Sequence, residues 1–307
     1  MELALVTVEK ITEMFLIMLA GAAAFRWKIL DSASNKKMSG LLLKVISPAM
    51  LFMAYQIEFE GERLRGLLVT MALSMASFAW TIILVNRWIP LKKHEDAAIE
   101  QMATIYANCG FIGIPLINGI LGIEGVFYLT AYITALNLIV WSHGQAIMRG
   151  TMELKTALKN FIQPATVAIG LGIVCFLFRI RIPEILASPL KMVGDMNTPL
   201  AMLVAGGTLA EGNLLGALKK TRAYRISFLK LILIPVISIL ILSLVPAERI
   251  YVMTILVAIA CPTAATGSMF ALQYNKNSNY ASELFIITTV FSLVTIPLMV
   301  LLAGWIL

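Results

Sequence analysis

Few residues in this chain have the type and spacing for covalent chemistry. There are two histidines, His94 and His143, and three cysteines, Cys109, Cys175 and Cys261, none spaced to bind a metal or to pair a nucleophile with a base. No HExxH or GxSxG string occurs, and no two acids share the middle of an apolar run, which argues against an enzyme. The residues that stand out are small and polar ones inside apolar surroundings. Asn108 precedes Gly110, Gly113 and Pro115; Pro262-Thr263 precedes Thr266-Gly267-Ser268; Asn137 stands alone between two leucines. Proline removes a backbone donor and glycine weakens a helix, so the first two stretches are predicted to unwind. A helix that restarts after such a break presents free N–H groups and the positive end of its dipole. That is the chemistry of anion binding.

The elements that must position these breaks follow from composition. Of 307 residues 60% are hydrophobic and 13% charged, and the mean hydropathy is +0.88. A soluble domain has about 45–50% apolar and about 25% charged residues, and a disordered chain has low hydrophobicity and high charge, so both classes are excluded. Apolar runs fall at 11–26, 38–56, 67–87, 98–121, 125–147, 162–178, 189–210, 226–245, 249–274 and 283–306. They do not alternate as membrane strands do, so the expected fold is an all-α integral membrane protein of ten transmembrane helices. The net charge of +7 is spread in small groups between these runs, reading as loop anchors and not as a nucleic-acid surface. The cysteines lie inside the runs, so no metal, cofactor or disulfide is expected. Residues 1–10 lack the basic start and small-residue cleavage site of a signal peptide, so the first span is expected to be retained.

Alternate loops carry fifteen Lys and Arg on one side and seven on the other. The positive-inside rule then places both termini outside the cytoplasm, against the weight of Arg179 and Arg181, in an inner (cell) membrane. Five runs precede residue 150 and five follow it, so 1–149 and 150–307 are expected to form two inverted five-helix repeats. Matching strings support the duplication: Ser47-Pro48-Ala49-Met50 in the second run against Thr198-Pro199-Leu200-Ala201-Met202 in the seventh, and the breaks of the fourth and ninth. The interrupted helices are expected to restart near Leu116 and Met269 and to hold an anion at the midplane without any Lys or Arg.

At Asn108-Cys109-Gly110-Phe111-Ile112-Gly113-Ile114-Pro115-Leu116, at Cys261-Pro262-Thr263-Ala264 and at Ser292-Leu293-Val294-Thr295-Ile296-Pro297-Leu298, the chain resembles the auxin efflux carrier family of membrane transporters. The resemblance implies a scaffold from helices 1, 2, 6 and 7 that forms a homodimer. It implies a moving transport domain from helices 3–5 and 8–10, with helices 4 and 9 crossing at the substrate. Asn108 matches the family's substrate-contacting asparagine. The expected substrate-binding set is Asn108, Gly113, Ile114, Pro115, Leu116, Asn137, Pro262, Thr263, Thr266, Gly267 and Ser268. Where plant members have a second proline this chain has Gly267, and its loop between helices 5 and 6 is short, which implies a bacterial permease for small carboxylates.

The function expected is alternating-access transport of small organic anions across the bilayer. Coupling is left open between none, a proton and sodium. With the inside negative by about 100 mV, about 2.3 kcal/mol per charge favours anion export. Glu13, Glu100, Asp195, Glu211 and Glu283 all fall near span ends and read as solvated, and His143 reads as a cap or interfacial residue. A sodium-coupled symporter of related fold, using carbonyls freed near Pro262, or an ion channel are the alternatives.

Overall fold

The structure, a computed structural model, describes residues 2–150, 162–212 and 214–307. The regular secondary structure of these residues is helical, with one isolated β-bridge. The chain begins with α1 (Glu2–Arg26), then α2 (Ser32–Leu41), α3 (Ser47–Met53) and α4 (Gly61–Trp88). It continues through α5 (Ala97–Ile105), α6 (Ile114–Ile139), α7 (Gln145–Arg149) and α8 (Pro164–Leu177). After α8 come α9 (Glu184–Asp195), α10 (Asn197–Glu211), α11 (Leu214–Leu218), α12 (Thr221–Phe228) and α13 (Ile234–Leu242). The last are α14 (Arg249–Ala260), α15 (Thr266–Gln273) and α16 (Ser278–Ile306). The predicted basic loop with Lys155 and Lys159, and the boundary between the two repeats, lie outside the described residues.

Among the described residues four helical stretches are long and apolar enough to cross a membrane: Gly61–Trp88, Cys109–Arg149, Thr221–Leu242 and Ser278–Ile306. The second is in fact two helices, because Gly122 has φ +68° and ψ −165° inside it, a backbone that bends the chain between the predicted runs 98–121 and 125–147. Exposed Leu68, Ile83, Leu171, Leu240, Val294 and Leu298 make the outer surface apolar, whereas Thr70, Ser74, Gln101, Thr254 and Ser292 are buried. Apolar outside and polar within is the arrangement a lipid solvent selects.

Three prolines share one local solution. Pro48, Pro115 and Pro235 each occupy the second position of an α-helix (α3, α6 and α13) that follows a five-residue π turn, at Leu42–Ile46, Cys109–Gly113 and Leu229–Leu233. A proline inside a helix has no N–H for the carbonyl four residues back, and its ring collides with that carbonyl. Widening the turn by one residue removes the conflict: the residue before each proline donates to the carbonyl five back, Ser47 to Leu42, Ile114 to Cys109 and Ile234 to Leu229. Each of these helices therefore continues past its proline.

One packed unit is formed by α1 and α10. A Cβ on Gly206 would collide with the Met18 carbonyl, so the two backbones touch. Further along, α2 and the start of α3 are tied to α10 by Asn35 Nδ2 donating to Thr208 Oγ1 (3.0 Å) and Asn197 Nδ2 donating to Ser47 Oγ (2.7 Å). Asp31 caps α2 by accepting the Ser34 N–H at 2.7 Å, and hydrogen bonding to Ser34 holds its carboxyl below the ordinary value. A second unit packs α4, α5, α6, α14 and α16 together. The candidate site lies in that second unit.

Candidate functional site

Pro262 ends α14. The residue before a proline is driven out of the helical region, and Cys261 accordingly has φ −59° and ψ 149°. The backbone so released pairs with a second extended stretch at Tyr106, Ala107 and Asn108. Asn108 N–H donates to the Pro262 carbonyl at 2.8 Å, Ala264 N–H donates to the Tyr106 carbonyl at 2.9 Å, and Ala107 and Thr263 form an antiparallel bridge. Two interrupted helices are thus joined back to back. After the breaks the chain turns helical again at Cys109 and at Thr266.

These restarts correct the expected ones near Leu116 and Met269. Proline is tolerated in a first helical turn and is accommodated here by the π turn, while Gly267 sits at the second residue of α15. Gly110, Gly113, Pro115 and Gly267 therefore belong to restarted helices, and of the residues expected to break the chain only Pro262 lies in a break.

Threonines satisfy part of the freed backbone. Thr263 is 2% exposed; its Oγ1 donates to the Ala103 carbonyl (2.8 Å) and its N–H to Thr288 Oγ1 on α16 (3.2 Å). The Tyr106 hydroxyl meets His143 Nδ1 at 2.8 Å, from the π turn Val140–Gly144. His143 thus braces the break, correcting its expected role as a cap or interfacial residue.

What is left unbonded defines the site. Asn108 is 6% exposed and its carbonyl accepts the Ile112 and Gly113 N–H groups, yet its side chain makes no hydrogen bond to a described residue. From the other break, the Thr266 hydroxyl is buried without a partner among the described residues. Gly113 holds the first restarted helix against the end of α14: a Cβ there would sit 3.1 Å from Cys109 Cβ and 3.5 Å from Cys261 Sγ. Ile114, Pro115 and Leu116 are buried behind it, and Ser268 is half-buried after Thr266. Asn137 is half-buried on α6, and no hydrogen bond brings it to either break.

Leu116 lines a crevice with Ile112, Met14, Met18, Met202 and Ser292, where α6 and α16 face α1 and α10. Its volume is about 20 Å³, little more than one water occupies. A roomier cavity of about 220 Å³, bordered by Arg179 and Arg181, lies at the ends of α3 and α8, away from both breaks. Among the described residues no three His, Cys, Asp or Glu side chains stand close enough to share a metal ion.

Three charged residues depart from expectation. Lys230, in the π turn before α13, is 1% exposed and its Nζ donates to the Ile259 carbonyl at 3.3 Å, one turn before the break. A buried lysine thus stands close to the second break, where no Lys or Arg was expected. The signal was a lysine within Phe228-Leu229-Lys230-Leu231-Ile232, since an ionisable residue inside an apolar run is functional by default. Glu100, expected at a solvated end, is 2% exposed, and the Glu283 side chain is 12% exposed and paired with Lys220. Glu13 and Asp195 are exposed as expected.

An apolar exterior around a bonded pair of helix breaks defines a multi-pass membrane protein. More particularly, the chain belongs to the family described as membrane transport protein, the auxin efflux carriers, whose family model matches residues 6–157 and 150–300. The family is one of transporters, not of enzymes. No curated protein matches the sequence closely.

Proposed function

We propose that the chain is a secondary carrier for small organic anions, carboxylates foremost, that binds its substrate where the two helix breaks meet. The observation that carries this is the unpartnered Asn108 amide beside two backbone-paired breaks, with Lys230 bonded one turn before the second. An amide donor, the N-terminal N–H groups of two restarted helices and one ammonium group together favour a carboxylate.

All ten apolar runs cross the bilayer in this reading, as two inverted repeats, 1–149 and 150–307. The α1–α10 pair with α2, α3, α8 and α9 forms a scaffold that dimerises. The α4–α6 and α12–α16 body moves against it and exposes the breaks alternately to either side. The narrow crevice between α6 and α1 supports an occluded state from which that movement opens a path. The excess of Lys and Arg in alternate loops supports termini outside the cytoplasm of a cell membrane, and the short loop near 150–160 a bacterial type. Lys230 speaks against sodium coupling, because its ammonium already occupies a carbonyl at the end of α14 that a sodium ion would need.

Thermal unfolding of the purified protein against a panel of mono- and dicarboxylates, with neutral and cationic solutes as controls, tests the reading. A ligand that binds only the native state raises stability by about 2.7 kcal/mol at a hundred times its Kd. A shift with one carboxylate, equal in sodium and potassium and lost in Asn108→Ala, is expected. No shift with any anion, or a shift that needs sodium, overturns it.

A further inference from the structure

Glu100 is buried in the first turn of α5, a helix whose nine residues are all buried. Its Oε1 accepts the Tyr280 hydroxyl at 3.0 Å, and Tyr280 is 3% exposed. Its Oε2 lies 3.3 Å from Nε2 of His94, whose Nδ1 is buried without a partner among the described residues. An ionised carboxylate in such surroundings is costly unless a cation pairs with it. Among the described residues the cations nearby have other partners. Lys220 pairs with Glu283 and lies over the Tyr280 ring at 5.2 Å, and Arg222 pairs with Asp96 at 4.0 Å, which Asn277 Nδ2 also approaches at 3.4 Å. Of the other elements packed on α5, the π turn before α13 brings Lys230, which bonds to Ile259; α4 ends in exposed Arg87; α7 ends in Arg149; and α15 is followed by Tyr274, bonded by Gln145. The group facing Glu100 is therefore an imidazole, which takes up and releases a proton, and not a permanent cation.

We propose that His94 and Glu100 form a proton-binding site that couples the carrier to pH, the proton travelling with the substrate anion. The proton comes from water and forms an O–H bond at Glu100, with the neutral His94 imidazole facing it; nothing is oxidised or reduced. The coupling path is covalent and short. Glu100 and Asn108 are eight residues apart along one stretch of chain, and Tyr280 and Thr288 eight apart along α16, the latter about 12 Å at 1.5 Å per helical residue. At one end Tyr280 holds Glu100; at the other Thr288 accepts the Thr263 N–H of the second break. Protonating Glu100 at Oε2 turns the oxygen facing His94 from an acceptor into a donor while Oε1 still accepts from Tyr280, and this exchange of roles where α5 meets α16 biases the two helices towards an arrangement that displaces one break relative to the other.

The transport half of this inference rests on the carrier reading, while the proton site is testable without any substrate. Infrared difference spectra of the full-length protein in liposomes, stepped from about pH 8 to about pH 5, are expected to contain a protonated-carboxyl band that Glu100→Gln removes. Tyr280→Phe keeps the packing and deletes one donor to the carboxylate, so the midpoint of that band should rise by about one pH unit or more. It decides the matter if Glu100→Gln does not fold. In a second arm, labelled succinate is followed under a pH gradient and at equal pH. Glu100→Gln should keep exchange at equal pH and lose gradient-driven accumulation. A band that persists in Glu100→Gln, an unmoved midpoint in Tyr280→Phe, or unchanged accumulation in Glu100→Gln overturns the proposal. If wild-type protein does not carry succinate, that result bears on the substrate, and the infrared arm still decides the proton site.

Discussion

The two breaks that bond to each other have different origins. In α14 the interruption is written locally: Pro262 forces Cys261 out of the helix and the chain must leave it there. The other interruption, Tyr106-Ala107-Asn108, contains neither proline nor glycine. Its backbone is held extended by the second break, which accepts from Asn108 and donates to Tyr106. A helix can thus be broken by a residue in another helix. Pro115, the proline nearest that stretch, is absorbed by a π turn and breaks nothing.

This asymmetry can be tested in order of expected effect. Pro262→Ala should be the most damaging, since α14 is free to continue and both breaks lose their partners. Exchange of a stabilising carboxylate should fall by more than about 100-fold, the loss of about 3 kcal/mol or more. Pro115→Ala should change it by less than about threefold, because a proline at the second helical position costs little there. Equal effects from the two would mean that both breaks are local. Gly113→Leu places a side chain between Cys109 and Cys261 and should cut flux more than about tenfold through overpacking of about 1–3 kcal/mol. Normal flux would remove the close approach from the argument.

Lys230→Met keeps volume and deletes the charge; the affinity for a stabilising carboxylate, read by thermal shift, should drop about tenfold. A comparable loss is expected for Asn108→Ala, with ligand-free unfolding changed by no more than about 0.5 kcal/mol because its amide bonds to no described residue. The smallest effect belongs to Tyr106→Phe, which removes the hydroxyl bond to His143 for about 1 kcal/mol of stability.

Hydropathy made the helices legible, because lipid demands long apolar runs. The Cys261-Pro262-Thr263 break was legible for the same kind of reason, a proline acting on its neighbour. The Tyr106–Asn108 break was misplaced towards Leu116 because its cause is a pairing 156 residues away, Ala107 with Thr263 at one end and Thr288 behind, and no local rule reports such a contact. Glu100 and Glu283 were misread for a related reason. Position near a helix end says nothing about whether another helix covers that end, as α16 does here. Lys230 was readable, since a single charge inside an apolar run is conspicuous by itself.

The π turns before Pro48, Pro115 and Pro235 have one more consequence. A π turn holds one residue more than the α turn it replaces, so in evolutionary terms it is a one-residue insertion that the fold has kept. Each insertion rotates everything downstream by about 100° around the helix axis. Deleting one residue from Leu229–Leu233 would therefore not only straighten that helix but turn a different face of α13, about a quarter turn round, inward. In ancestors or relatives lacking such an insertion, the residue facing the second break would not be the one found here.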